Sequence, residues 1–519
     1  MKVDVDNISV SDIFSVFYDH SSDLKRQKRG DIKGFNRREV DKKLFLLINR
    51  LESLINESQA TISNSDGSSA KPAIRDSFEF RPYNIVSVMH VTKFDICKKN
   101  PDLFTKLVNM MILMGNQCRT EFTMKHISSI FLLMNGMKGE NKQVRQLLHV
   151  ITGHIQLSSH TFDARAIGSV LYGMQDMEVK YAEVRICINL IIEKIKQCRE
   201  PLDPQAVGLS LFGMVSRSSN DEIVRDIIRA LLPKIKGCTQ PLLPRNWSNA
   251  LYGLSLFDTE HKVIRELLRE LYAKAATVTG NLTIQELTGA FYGLKLMSSD
   301  VKEVGDILKV LIDMLVQSAE PFDAVAVGNM AYSLLNKDSK MHLVKELLVT
   351  IAAKNETCTQ QLQPRHIAQA LYGLQRMTSD HEESLQYLRS FNKLAKSTHL
   401  LTGKQLENIL VGLRHMDPAV PDVQSLLDSL CALLDKETVQ DMQQAMKFTK
   451  NDKILKTEGE YKNYFHKNLS FIAKKVLGPE AFKASVSTPQ QRSNHNRSFK
   501  QKGGWEKKRV DYAPRRNEK

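Results

Sequence analysis

The chain has 519 residues, a formal net charge of +15, and a composition that is 42% hydrophobic but only 7% aromatic. No stretch approaches the roughly 18 consecutive apolar residues of a transmembrane helix, which excludes such a helix. The acidic N-terminal segment lacks both the apolar core of a secretory signal and the Arg-rich character of an organellar presequence. We therefore expect an intracellular, cytoplasmic protein that needs no membrane, and leave an organellar location open.

The N-terminal segment, residues 1–58, contains one amphipathic pattern. Over residues 38–58, apolar side chains recur at helical spacing from Val40 to Ile55, which predicts a docking or capping helix. Residues 59–73 are rich in Ser and have no apolar periodicity. This composition is typical of a flexible linker.

A long internal repeat occupies residues 74–435. Its clearest mark is a glycine that returns every 40 residues, with Ser333 in step where one glycine is missing. Two further units without the glycine are centred on Val91 and Leu133, and apolar residues recur six and eleven positions before every centre. Self-similarity at this period predicts about nine stacked repeats. The glycine register comprises Gly173, Gly213, Gly253, Gly293, Gly373 and, one residue short of the period, Gly412.

Each unit has the pattern of a helical hairpin. In residues 242–280, one apolar series begins at Trp247 and a second at Ile264, each with helical spacing. Several units carry a proline in the predicted first turn, where its missing N–H costs nothing. No part of the unit alternates with period two. The predicted fold class is all-α: a right-handed α-solenoid of about nine helical-hairpin repeats of ~40 residues.

Two registers have both a structural and a functional interpretation. A glycine inside a helix costs about 1 kcal/mol relative to alanine, so its repetition predicts a close approach between helices. Exposure of the backbone to a ligand is the alternative. An aromatic residue precedes the glycine in most units, from Tyr172 to Tyr372. We favour packing between repeats for these rings, and a row of stacking platforms for bases is the alternative.

Motifs of catalysis and metal binding are absent from the sequence. There is no GxGxxG, P-loop, HExxH or nucleophile elbow, and no pair of cysteines has CxxC spacing. Four of the seven cysteines share one register of small residues, which indicates packing, and scattered thiols suit a reducing compartment. We therefore expect no enzymatic activity, cofactor, metal or small-molecule substrate.

The C-terminal part divides into a helical and a basic segment. Residues 436–483 have a helical apolar stripe and are predicted to form a C-terminal cap. Residues 484–519 form a basic tail that cannot build a core, and we predict that it is disordered. Basic residues interleaved with aromatic ones suit nucleic acid, while a solubilising tail is the alternative. The candidate RNA-binding residues here are Arg497, Lys500, Lys502, Trp505, Lys507, Lys508 and Arg509.

Two polar registers mark the surface where a partner would bind. Stacked hairpins place one helix of each pair on a concave side, which is the usual binding side. Eight residues before the glycine register, five of nine positions are basic; we call this the basic register. Four residues later comes a second register rich in Ser, Asn and Gln; we call this the polar register. The alternative is that the two registers form an ordinary solvated helix face. The candidate pairs are Lys125 and Ser129, Arg165 and Ser169, Arg245 and Asn249, Arg365 and Gln369, and Lys404 and Asn408.

The sequence around the glycines resembles a known class of repeats. The boxes ALYGL at 250–254 and AFYGL at 290–294, each with a Leu eleven residues before the glycine, look like octotricopeptide and heptatricopeptide repeats. They are also similar to the Leu-rich region of FAST-kinase-like proteins. The resemblance covers residues 80–416. The unit here is slightly longer than in those families, and no RAP domain is recognisable in 436–519.

The resemblance implies binding of RNA in its processing, stability or translation. From residues and resemblance together we expect a non-catalytic protein that binds single-stranded RNA. The concave face would select the sequence and the tail would add affinity. The alternative is a protein–protein scaffold of armadillo or tetratricopeptide type, which an apolar or mixed groove would favour.

Overall fold

The computed structural model describes residues 12–17, 44–55, 79–93, 99–448 and 463–479, and the single residues 19, 42, 97 and 482. Within these residues every regular element is a helix. The predicted linker at 59–73 and the basic tail at 484–519 lie outside the described residues. Among the described helices, none combines the length and the apolar character that crossing a bilayer requires.

Nine consecutive helical hairpins fill residues 82–431 of the described chain. In each hairpin the odd-numbered helix comes first. The helices α1 to α18 are Pro82–Thr92, Pro101–Gln117, Met124–Met134, Lys142–Leu157, Ala164–Gly173, Ala182–Gln197, Pro204–Phe212, Glu222–Lys236, Pro244–Tyr252, Lys262–Ala275, Ile284–Gly293, Lys302–Gln317, Ala324–Tyr332, His342–Asn355, Pro364–Tyr372, Glu382–Leu394, Gly403–Gly412 and Pro421–Cys431.

The hairpins stack into two layers. Each odd-numbered helix packs against the next odd-numbered helix, and each even-numbered helix against the next even-numbered one. This arrangement confirms the predicted α-solenoid. The unit at 242–280 shows the cause, since Trp247 and Leu251 of its first helix and Ile264 of its second are fully buried. The proline positions are confirmed as well, because Pro82, Pro204, Pro244 and Pro364 each open an odd-numbered helix.

The glycine register lies where neighbouring odd-numbered helices touch. A Cβ on Gly253 would overlap the carbonyl oxygen of Leu211 in the preceding odd-numbered helix, and one on Gly293 would overlap that of Leu251. The other four glycines of the register meet the preceding helix in the same way. The predicted close approach is therefore confirmed. Because backbone contact brings odd-numbered helices closer than leucine and isoleucine side chains bring even-numbered ones, we expect the odd layer to be the concave side.

Additional helices cover both ends of the array. Residues 44–55 are helical and bury one apolar face, as predicted. Lys106 of α2 ties them to the array, because its Nζ donates to Asn49 Oδ1 at 2.8 Å and pairs with Glu52. At the other end lie α19 (Lys436–Phe448) and α20 (Phe465–Leu477), within the predicted cap. Asn468 Nδ2 donates to two carbonyl oxygens in the turn after α17, in the ninth unit: Leu413 O at 2.9 Å and Met416 O at 3.2 Å.

Candidate functional site

The basic register lies in the first turn of the odd-numbered helices. Its five cations all occupy the second residue of their helix, and all five are exposed. The N-terminus of a helix carries a partial positive charge, which favours acidic residues and disfavours cations. Helix stability therefore does not explain a cation at this position. The five residues are Lys125, Arg165, Arg245, Arg365 and Lys404.

Most of these cations lack an acidic partner. Within the described part of the chain, Lys125, Arg165 and Arg245 make no hydrogen bond or ion pair. Arg365 contacts only its neighbour, with 3.1 Å between Arg365 Nε and His366 Nε2. Lys404 is the exception, because its Nζ lies 2.8 Å from Glu407 Oε2. Four of the five positive charges are therefore available to an anionic ligand.

Two histidines next to the register accept hydrogen bonds at the helix starts, a role that the cations cannot take because Lys and Arg have no acceptor. The backbone N–H of Gln363 donates to His366 Nδ1 at 3.3 Å, and that of Thr123 donates to His126 Nδ1 at the same distance. Burial and then the charge of Arg365 lower the pKa of His366, although Asp323 opposes this. Neutral imidazoles can accept these hydrogen bonds, so the histidines and not the cations help to cap these helices.

The polar register is less accessible than the sequence indicated. Ser129, Asn249 and Asn408 are half-buried and lie one turn from their cations, as predicted. Ser169 is only 2% exposed, so its side chain cannot reach a ligand. Gln369 is half-buried and its Nε2 donates to Asn329 Oδ1 at 2.7 Å. The prediction of Ser169 as a contact residue is therefore corrected, and Gln369 has one of its groups engaged.

A ladder of aromatic rings runs between the polar register and the glycine register. Six rings stack from unit to unit with centroid separations of 5.4 to 5.9 Å and interplanar angles of 21° to 41°. The inner rings have a neighbour on each face, so no face is open to a base. Packing between repeats is confirmed, and it leaves no free ring face for the alternative of stacking platforms at the four inner rings. The ladder consists of Tyr172, Phe212, Tyr252, Tyr292, Tyr332 and Tyr372.

Charge is distributed differently in the two layers. The nine odd-numbered helices contain only two acidic residues: Glu286, which accepts a hydrogen bond from the backbone N–H of Thr283, and Glu407, which pairs with Lys404. Cations of the even layer, by contrast, often pair with an acid in the next unit. Examples are Arg185–Asp221 at 2.9 Å, Arg269–Glu303 at 2.9 Å and Arg389–Asp422 at 2.8 Å. The odd-numbered helices therefore carry few acids that could offset their exposed cations; Asp163, Asp203 and Asp323 precede three of these helices as N-caps.

Two buried cations escaped the sequence analysis. Arg217 and Lys337 are 2% and 1% exposed and lie four residues after the glycine register. Other units hold methionine or phenylalanine there, as at Met177, Phe257 and Met297. Burial lowers the pKa of Arg217 to about 10 and that of Lys337 to about 7. A charged residue in an apolar register was the available signal.

These buried cations bind the ends of preceding helices. Lys337 Nζ donates to the carbonyl oxygens of Leu294 at 2.7 Å and Met297 at 2.5 Å. Arg217 donates in the same way to the carbonyls of Met174 and Met177, which hold the equivalent positions in the third unit. Asn468 uses the same pair of carbonyls in the cap. Their charges are engaged inside the array, so they do not contribute to a ligand-binding surface.

The described residues offer little for chemistry. They contain no group of three or more His, Cys, Asp or Glu side chains that could hold a metal ion. All seven cysteines are free, and six are buried. The tail residues predicted to bind RNA lie outside the described residues. No protein-family model matches the chain, and no curated protein matches it either.

Proposed function

We propose that this protein binds single-stranded RNA without catalysis, through the odd-layer surface and the basic tail, and acts in RNA processing, stability or translation. The phosphates of RNA would contact the basic register. Polar side chains one turn further along, such as Asn249, would contact base edges. Binding by cations and neutral polar groups on a repeated helical surface is a known mode of RNA recognition.

The observation that carries the proposal is the placement of the cations. Lys125, Arg165 and Arg245 are exposed, unpaired and located at helix N-termini, where they weaken the helix electrostatically by a few tenths of a kcal/mol or more. A repeated cost of this kind is expected where the charges serve a ligand. An anionic polymer that follows the array would neutralise several of them at once.

A protein–protein scaffold is the second candidate, and the middle of the array is the observation that favours it. The basic register holds Gln285 and Val325 in the sixth and seventh units. The half-buried rings of Tyr292 and Tyr332 follow about two turns further along the same helices. A groove of this mixed character would accept a peptide, so the two candidates make different predictions for charge removal.

Removal of three unpaired cations tests RNA binding. We expect Lys125→Ala/Arg165→Ala/Arg245→Ala to weaken binding of random-sequence single-stranded RNA about tenfold or more. The logarithmic salt slope should fall by about 2, because each phosphate contact on a single strand contributes about 0.7. Fluorescence anisotropy over a range of salt concentrations measures both quantities.

The matched control removes three exposed lysines of the even layer. Lys142, Lys236 and Lys309 lie on α4, α8 and α12, and all are exposed. Their replacement by alanine changes the net charge equally but should alter RNA affinity less than twofold to threefold, the level that long-range electrostatics alone supplies under screening. Equal losses in the two variants would contradict a role for the basic register and favour the scaffold.

Deletion of residues 484–519 tests the tail. The tail carries ten Lys and Arg residues against three acids. We expect its removal to weaken binding of different RNA sequences by similar factors and to flatten the salt dependence, because phosphate contacts carry no sequence information. An unchanged affinity and salt slope would show that the tail only improves solubility.

A further inference from the structure

The basic register is interrupted in the middle of the array. Lys125, Arg165 and Arg245 lie in the second, third and fifth units, and Arg365 and Lys404 in the eighth and ninth. Between these groups, the sixth and seventh units present exposed Gln285 and half-buried Val325. The surface between the fifth and eighth units therefore offers no cation at this register.

The polar register is closed in the same two units. Gly289 has no side chain to present, and Asn329 is only 3% exposed and accepts its hydrogen bond from Gln369. Neither position can therefore contact a base edge as Asn249 can. The fourth unit, with Gln205 and Leu209, also lacks both registers, but it is a single unit between cations. The sixth and seventh units are consecutive, so they form a longer interval without a contact for RNA.

The nearby lysines do not compensate. Lys295 is 4% exposed, and its Nζ donates to the carbonyl of Ser255 at 2.5 Å and lies 3.9 Å from the centroid of the Tyr292 ring. Lys337 is buried and engaged with two carbonyls of the sixth unit. Both ammonium groups are directed into the array, so the charges of Lys295 and Lys337 are not available on the odd-layer surface.

The interval also coincides with an irregularity in helix packing. Ser333 occupies the glycine register in the seventh unit, and its Oγ donates to Met330 O at 2.6 Å. A Cβ at this register would overlap the preceding helix in the six glycine units, so α13 must be placed differently on α11. Between consecutive odd-numbered helices, the α11–α13 interface is correspondingly among the least extensive. The loss of both registers and the irregular packing of α13 on α11 therefore fall in the same two units, the sixth and the seventh.

We infer that the odd-layer surface holds RNA in two separate contact blocks, units two to five and units eight to nine, bridged by nucleotides that it neither neutralises nor reads. This inference rests on the proposed RNA binding. The interval spans three ladder steps of 5.6, 5.6 and 5.9 Å. At a rise of about 3.4 Å per stacked nucleotide, about five nucleotides cross it, and fewer in an extended strand.

Ligand length provides the test. With the full-length protein, random-sequence RNAs of about 6 nucleotides should reach one block and those of about 16 nucleotides both blocks, at about 3.4 Å per nucleotide. Because the second contact becomes intramolecular, affinity should rise in two steps, with a second step of about tenfold or more. Arg365→Ala/Lys404→Ala should leave the affinity for the short RNA unchanged within about twofold and remove most of the second step, since it alters one block only.

A cation introduced into the interval between the two blocks provides an independent test. Val325→Arg should add one phosphate contact for the long RNA and increase its salt slope by about 0.7, with no effect on the short RNA. Val349→Arg, on α14 of the even layer, is the control and should change neither. A single smooth rise with length, with the double variant weakening all lengths alike, would overturn the two-block inference but leave RNA binding intact. Failure of the wild-type protein to bind RNA of either length would refute RNA binding itself.

Discussion

Gly253→Ala is expected to lower the free energy of unfolding by about 3 kcal/mol, at the upper end of the range for overpacking a well-packed core. The added Cβ would overlap the carbonyl oxygen of Leu211, and backbone cannot rotate away as a side chain can. Gly253 is the C-cap of α9, so the gain of about 1 kcal/mol that alanine brings to a helix interior is an upper limit here, and the cost should exceed it. Denaturant unfolding followed by circular dichroism measures the change.

Gly153→Ala is the matched control. Gly153 lies inside α4, and a Cβ there would meet no heavy atom within 4 Å apart from its chain neighbours and the backbone of its own helix. The same substitution should therefore stabilise the protein by about 0.5–1 kcal/mol through helix propensity alone. If both variants shift stability in the same direction, the glycine register is not explained by close approach. Because repeat arrays can unfold in parts, hydrogen exchange should also show the loss concentrated around α7 and α9.

The sequence was sufficient for the architecture because one local rule repeats. A proline at a helix start such as Pro244, the apolar series from Trp247, and the glycine at 253 each act within a unit or between adjacent units. Because nine units follow the same pattern, a departure from it at one position does not change the predicted architecture. The handedness of the solenoid has no such local signature in the sequence and stays a prediction.

The candidate site was only partly predictable, for a geometric reason. Exposure of Arg245 follows from its place in the first turn of a helix, which spacing alone determines. Burial of Ser169 depends on how the surrounding helices pack, which spacing does not determine. The same limitation applies to Gln369, whose partner Asn329 is one unit away. Periodicity therefore identifies a surface better than it identifies the side chains that are free on it.

The buried cations show how far a repeat tolerates departures from its pattern. Lys337 occupies a position where several other units hold methionine. Burial of its ammonium group would be costly without partners, since an isolated buried ammonium loses several kcal/mol of hydration. Hydrogen bonds to two carbonyl oxygens in the turn after the first helix of the sixth unit, Leu294 O and Met297 O, offset part of that cost. The remaining cost is expressed in the pKa of Lys337, which burial, with a smaller effect from Lys295, lowers to about 7.

Lys337→Met is expected to remove a pH dependence of stability. Lysine in an unfolded chain has a pKa of about 10.4, so between pH 7 and about 10 the unfolded state binds more protons at this residue than the folded state. The wild-type protein should therefore become more stable as pH rises through this window, by at most about 1.4 kcal/mol per pH unit from this group. Below pH 7 the buried charge is present in the folded state and the full penalty applies.

Lys337→Met introduces the methionine that several other units hold at this position, so the packing should be preserved. At pH 6 it should be more stable than wild type by about 1–4 kcal/mol, as for other buried charges replaced by apolar residues. Toward pH 9 the wild-type amine is neutral and still donates to its carbonyls. The stability of Lys337→Met relative to wild type should therefore fall by about 1–3 kcal/mol, which reduces or reverses its advantage. Lys309→Met, an exposed lysine on α12, is the control for charge removal and should follow the wild-type pH profile. Parallel profiles for wild type and Lys337→Met from pH 6 to 9 would show that the ammonium group is hydrated in solution, and hence that the α11–α13 interface admits water.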